Sequence, residues 1–106
     1  MEFASKQLRR SVEEQRQLRK KYGKMEESVK RRIQALRVAK TVGHLKLIDP
    51  RGRWHSLTGN FKGCWSGSTS VNHRIIIRLN RDTPDQPDDL VTNVVVLDCK
   101  RDYHER

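Results

Sequence analysis

The feature that most limits the fold of this chain is a change, part-way along, in the spacing of its apolar residues. Up to about residue 41 they recur every three or four positions, and beyond about residue 54 they alternate or run in short blocks. A period near 3.6 belongs to helices that bury one stripe, and a period of 2 to strands that bury one face. The first half therefore reads as helical and the second as a sheet. Neither buries its apolar side alone, so the two must cover each other. At 106 residues there is material for one domain with one modest core.

In more detail, residues 1–4 form a short strand and Ser5 is placed to cap a helix running to Tyr22. Leu8, Val12, Leu18 and Tyr22 make its inner stripe, while Arg9 with Glu13 and Arg10 with Glu14 pair on the wet side. Gly23 breaks the chain. A second helix is expected over residues 24–41, with Met25, Val29, Ile33 and Leu36 inward and Gly43 ending it. Strands are expected over residues 64–70, 73–79 and 91–99, with a shorter one near 54–57. Residues 80–90 hold four Asp and two Pro and read as a solvated loop. There is no internal repeat. The expected architecture is α+β: a helical hairpin packed on one face of a curved antiparallel sheet of about four strands.

Charge supplies the first functional signal. The net charge is +10, and it is unevenly laid out. Residues 1–81 carry 20 Lys and Arg against six acids, whereas residues 82–106 carry three against seven, so the parts differ as +14 and −4. A domain this basic is drawn to a polyanion, because neutralising phosphates releases condensed counterions. Nucleic acid is the leading partner. Solvation of two helices is the bland alternative, and a membrane surface is a third that lacks an apolar face beside the cations. No run approaches the roughly 20 apolar residues of a membrane span, and the start lacks the apolar centre of a signal peptide, so the expected location is the cytoplasm. Cys64 and Cys99 stand apart without CxxC spacing and read as reduced, half-buried strand residues. No pairing of them with His44, His55, His73 or His104 has zinc-finger spacing, so neither metal nor cofactor is expected.

Two segments can carry chemistry. Residues 51–66 interleave Arg51, Arg53 and Lys62 with Trp54, Trp65, His55 and three Gly. Cations hold phosphates, glycines let the backbone approach them, and Trp faces stack on unpaired bases. The competing reading is a hairpin whose glycines make turns and whose Trp side chains fill the core. The second segment, residues 98–106, brings Asp102, Tyr103 and His104 beyond the last strand, where a His is held only if the sheet holds it.

The run His55-Ser56-Leu57-Thr58-Gly59-Asn60-Phe61-Lys62-Gly63-Cys64-Trp65-Ser66, then Asn72-His73-Arg74-Ile75, then Asp102-Tyr103-His104, resembles the HigB-type killer proteins of the RelE/ParE toxin superfamily. Phe3-Ala4-Ser5-Lys6, Arg19-Lys20-Lys21-Tyr22-Gly23 and Lys30-Arg31-Arg32-Ile33 are similar to that family's helical hairpin. The likeness covers most of the chain and is weakest over residues 44–50 and the Asp-rich loop. It implies the toxin of a toxin–antitoxin pair, cleaving messenger RNA on the ribosome without a metal. It further implies an antitoxin partner and operator DNA bound through the pair.

Under the same resemblance His55 and His104 are the acid/base pair, since imidazole titrates near neutrality. Arg74 clamps the phosphate with its planar, always charged guanidinium. Asp102 orients a His or serves as base, and Tyr103 stacks or donates its phenol. Arg51, Arg53, Lys62, Trp65 and His73 are RNA contacts, with packing as the competing role for Trp65 and His73 and an outward ion pair for Arg74. Two departures stand out: Thr58 replaces a Lys of the HigB proteins, leaving Lys62 as the nearby cation, and Gly67 and Ser68 replace two Arg of the YoeB toxins. Within the superfamily, ParE-like toxins bind DNA gyrase and do not cut RNA; they generally lack such histidines. A plain nucleic-acid-binding module is the remaining alternative.

Overall fold

The computed structural model describes residues 1–102. Its elements run β1 (Glu2–Phe3), α1 (Lys6–Glu13), α2 (Gln15–Tyr22), α3 (Glu26–Val38), α4 (Val42–Ile48), β2 (His55–Ser56), β3 (Cys64–Ser68), β4 (His73–Asn80) and β5 (Asn93–Asp102). The sheet order is β1-β5-β4-β3-β2. From β2 to β5 each strand is antiparallel to its neighbour, as expected. The initial strand, however, joins β5 in parallel, with Glu2 opposite Val95 and Phe3 opposite Val96, so the five-stranded sheet is mixed.

The α+β architecture holds, with all helices on one face of the sheet. Alternation along β4 sends Ile75, Ile77 and Leu79 into the core, where the first two are 0% exposed. They meet Leu8, Leu18, Val29, Ile33 and Leu45 from the helices and Val94, Val96 and Cys99 from β5. Full burial of each such aliphatic side chain stabilises by about 1.5–3 kcal/mol.

The hairpin differs from expectation in two places. Its first arm is broken at Glu14, whose ψ of 115° is extended. The cause is visible eleven residues apart: the buried hydroxyls of Ser11 and Tyr22 lie 2.8 Å from each other. In one straight helix those positions would be separated by about 16 Å along the axis, so the contact requires the bend. Ser5 does cap α1, accepting from the Leu8 amide, and Gly23 ends α2 with φ 51°. The second difference is α4. The helix expected to reach residue 41 stops at Val38, and Thr41 caps a new helix by accepting from the His44 amide at 3.0 Å. Gly43 thus lies inside a helix instead of ending one. A Cβ there would come within 3.0 Å of the Asp89 carbonyl oxygen, so the glycine admits the acidic loop against α4.

That loop is solvated along most of its length but anchored at Asp88, which accepts from the Trp65 indole at 2.9 Å and pairs with Arg81. The indole hydrogen bond, ahead of the Arg81 charge, holds the Asp88 carboxyl below its usual range. Cys64 and Cys99 are free and buried rather than half-buried, Cys99 fully so. Burial pushes the Cys99 thiol up to about 12, so it stays neutral near physiological pH.

A carboxylate with a depressed folded value contributes stability above the ordinary carboxylate range and loses it as pH falls through the folded value. The parent should therefore exceed Asp88→Asn by on the order of 1 kcal/mol at pH 7, after allowance for solvent screening. Urea unfolding at pH 7 and below pH 4 should show that gap closing in acid. A gap that does not change with pH would show that the charge contributes nothing.

Candidate active site

On the side of the sheet away from the helices, register sets the site. His55 of β2 lies opposite Ser66 of β3, which lies opposite Ile76 of β4. Arg74 stands two residues from Ile76 on the same strand, and Arg101 of β5 lies opposite Arg74. Paired residues share a face, as do residues two apart on one strand, so these five side chains line up together. They form a cleft of about 160 Å³, completed by Leu57, Phe61 and Asp102. With strands about 4.8 Å apart and about 3.3 Å per residue, the Cα atoms of His55 and Arg74 are about 12 Å apart. Long side chains reaching inward from that separation can flank one phosphodiester.

A bulge determines which cation reaches the cleft. Between Ile76 opposite Asp98 and Arg74 opposite Arg101, two steps of β4 face three of β5. Regular pairing would set Lys100 against Arg74. The extra residue turns Lys100 away, and its ammonium donates to the Lys21 carbonyl at 3.2 Å.

His55 is solvent-exposed and oriented by its own strand. Its Nδ1 lies 2.9 Å from the Arg53 carbonyl oxygen, and its Nε2 lies 3.4 Å from Ser66 Oγ. A carbonyl can only accept, so Nδ1 carries the proton in the neutral ring and Nε2 presents its lone pair at the cleft. Arg53 reaches this geometry in the left-handed region, with φ 49°. Arg74 is half-buried, and its Nη1 donates to the carbonyls of Ser70 at 3.0 Å and His73 at 2.9 Å. The turn between β3 and β4 thereby fixes the guanidinium plane.

Beneath His55 is a buried polar cluster. Asp49 accepts from the Trp54 indole at 2.9 Å, and its Oδ2 lies 3.2 Å from Nε of Arg32, which is 5% exposed. Burial lowers the Arg32 guanidinium from its ordinary value, and the Asp49 charge partly restores it. The Trp54 ring presses on Gly67, where a Cβ would fall 2.9 Å from three ring carbons. Gly67 thus faces the Trp54 side of the sheet, and the ring fills the space that a side chain there would need.

The structure brings together His55, Arg74 and Asp102 of the expected catalytic set. Tyr103 and His104 lie outside the described residues. Among the expected RNA contacts, Arg53 and Lys62 are exposed near the cleft, while Arg51 lines a separate groove between α3 and α4. His73 is half-buried, its Nδ1 2.8 Å from Ser70 Oγ. Trp65 does not serve as a base platform: it is 6% exposed, its indole N–H is engaged by Asp88, and the Lys46 ammonium lies 5.1 Å from its ring centre. Its partner Ile77 shows why, since both point into the core. Phe61, Ser66 and Arg101 were not anticipated as site residues. Alternation from His55 and Arg74 would have pointed to Ser66, but Arg101 depends on the bulge.

Among the described residues no three His, Cys, Asp or Glu side chains stand close enough to share a metal ion, and no helix is long and apolar enough to cross a membrane. No protein-family model matches the chain, and no curated protein does. A solved structure with a similar chain path is a YoeB/ParE toxin from Agrobacterium tumefaciens, with TM-score 0.48 and 19% identity over 80% of this chain and 82% of that one.

Removing Asp49 would leave the Arg32 charge buried without its partner. Asp49→Ala should lower stability by about 3–5 kcal/mol. Denaturant unfolding measures this, and a loss below about 1 kcal/mol would mean that water reaches Arg32.

Proposed function

We propose that this chain is the toxin of a toxin–antitoxin pair and an endoribonuclease that cuts messenger RNA on the ribosome by using the ribose 2′-hydroxyl as nucleophile. The observation that carries the reading is the shared cleft of His55 and Arg74, with the Nε2 lone pair of His55 facing inward and the guanidinium held by backbone carbonyls. The basic balance of residues 1–81 and the family resemblance of residues 55–66, 72–75 and 102–104 support it.

The chemistry follows from these groups. His55 Nε2 takes the 2′-hydroxyl proton as O2′ bonds to phosphorus, and Arg74 offers paired donors to the phosphoryl oxygens, where negative charge accumulates. The P–O5′ bond breaks and the leaving oxygen is protonated, the role that falls to His104 as the other member of the acid/base pair the resemblance implies. The products are a 2′,3′-cyclic phosphate and a 5′-hydroxyl, and no step requires a metal. Asp102, at the rim, orients or tunes a neighbouring imidazole. Arg53 and Lys62 position the RNA backbone, in keeping with the usual role of such cations. The partners of this reading are the ribosome with its messenger RNA and a cognate antitoxin that covers basic surface and binds operator DNA with the toxin attached. Its location is the cytoplasm.

Expression should arrest growth, and primer extension should find new messenger RNA ends only while translation proceeds. His55→Ala should lower cleavage by about 10²- to 10⁴-fold while the protein still folds. Arg74→Lys keeps the charge but not the fork, and should lower cleavage by about 10- to 1000-fold. Growth arrest that survives His55→Ala without new RNA ends would replace the nuclease by a toxin that acts through binding.

A further inference from the structure

The cleft has two kinds of wall. Arg74 and Arg101 make one cationic, while Leu57, Phe61 and Ile76 make the other apolar. A site that held only a phosphate would have no use for the second. Phe61 is half-buried at the end of a single 3-10 turn, Gly59–Phe61, and the Arg101 guanidinium lies 5.0 Å from its ring centre. The turn is set off by Gly59 at φ 65° and Gly63 at φ 89°, so the short segment folds the ring back over the sheet. The register shifts along β5 set Arg101 opposite Arg74, at the level of the ring.

From this arrangement we infer that Phe61, with Arg101 laid against it, is a stacking platform for one unpaired nucleobase, adjacent to the phosphate held at Arg74. The inference rests on the RNA reading of the cleft and adds the base subsite to it. Aromatic rings and guanidinium planes both accept a base on their faces, and every base has a face to offer. The platform binds through stacking area and does not read hydrogen-bonding edges, so it favours purines over pyrimidines. It also requires a single strand, because a paired base has both faces covered by its neighbours. Phe61 thereby takes the role that the sequence offered to Trp65, which the core withholds.

The test uses the full chain and a pentanucleotide of 2′-O-methyl RNA, which lacks the nucleophilic hydroxyl and is not cut by this route. Binding is followed by fluorescence anisotropy at about 0.15 M ionic strength, where surface charge is screened beyond about 8 Å. Each position is made abasic in turn. The parent should lose affinity most at one position. Phe61→Leu should weaken binding of the intact oligonucleotide by about 5- to 150-fold, the range found at stacking aromatics. It should cost nothing further once that same position is abasic, and Phe61→Tyr should bind like the parent. Arg101→Lys, which keeps charge and removes the plane, should lose affinity at that same position and stands in if Phe61→Leu melts at a much lower temperature.

Absence of binding by the parent, equal losses at every position, or a folded Phe61→Leu that binds as tightly as the parent would overturn the platform. The two readings separate cleanly. Position-dependent binding with unmodified RNA left intact on translating ribosomes would remove the nuclease and keep the platform, whereas cleavage with no dependence on Phe61 would do the reverse.

Discussion

The placement of the cleft depends on one buried carboxylate. Asp49 holds Arg32 of α3 and the Trp54 indole at the same oxygen, so the helical layer, the segment after α4 and the approach to β2 meet at one atom. Neither charge can be left alone there, because an unpaired ion out of water costs several kcal/mol. The arrangement is therefore fixed more firmly than apolar contact alone would fix it. Gly52 and Gly67 are part of the same constraint: a Cβ at the first would fall against the Trp54–Asp49 hydrogen bond, and one at the second would strike the ring. His55 follows Trp54 directly. Exposed itself, it inherits its position from a neighbour that cannot move.

Two acids of the later part of the chain are paired with cations away from the cleft. Asp88 and Asp89 are engaged by Trp65, Arg81 and Lys46, on the flank formed by α4 and the loop. Asp88 and Asp89 thus neutralise one cation of the loop, Arg81, and one of α4, Lys46. A polyanion approaching the sheet meets Arg53, Lys62, Arg74 and Arg101 around the cleft, in the geometry that raises local concentration of a charged ligand.

How much of this was legible in the sequence varies with the range of the interaction. The switch of period located helices and strands, since burial of one face is a local pattern. Ser5, Gly23 and the strands around Ile75–Ile77 and Val94–Val96 followed from it. The break at Glu14 did not, because it answers to a contact between Ser11 and Tyr22 that helical periodicity cannot express. Helix α4 was missed because Leu47 is 81% exposed and Ile48 41%, which blurs the stripe made by Val42 and Leu45, and because a glycine sits inside it. At the candidate site, residue type and family resemblance point to His55, Arg74 and Asp102, which line one cleft. They do not point to Arg101, since two register shifts in β5, which leave no mark on composition, bring it opposite Arg74 in place of Cys99. Trp65 was ambiguous for a plain reason: indole suits a core and a base equally, and only the strand's phase decides.

Strand β5 comes after every other described element in the chain, yet it lies inside the sheet, between β1 and β4. Glu2 and Phe3 must wait for Val95 and Val96, more than 90 residues later, before their backbone groups are paired. A polypeptide emerging at about 5–20 residues per second therefore has its helices long before it has a closed sheet. Until β5 inserts, Ile75 and Ile77 lack a neighbour on one side and Arg74 has no Arg101 opposite. Maturation of the cleft is thus tied to synthesis of β5, and a nascent molecule that lacks this strand has no assembled cleft.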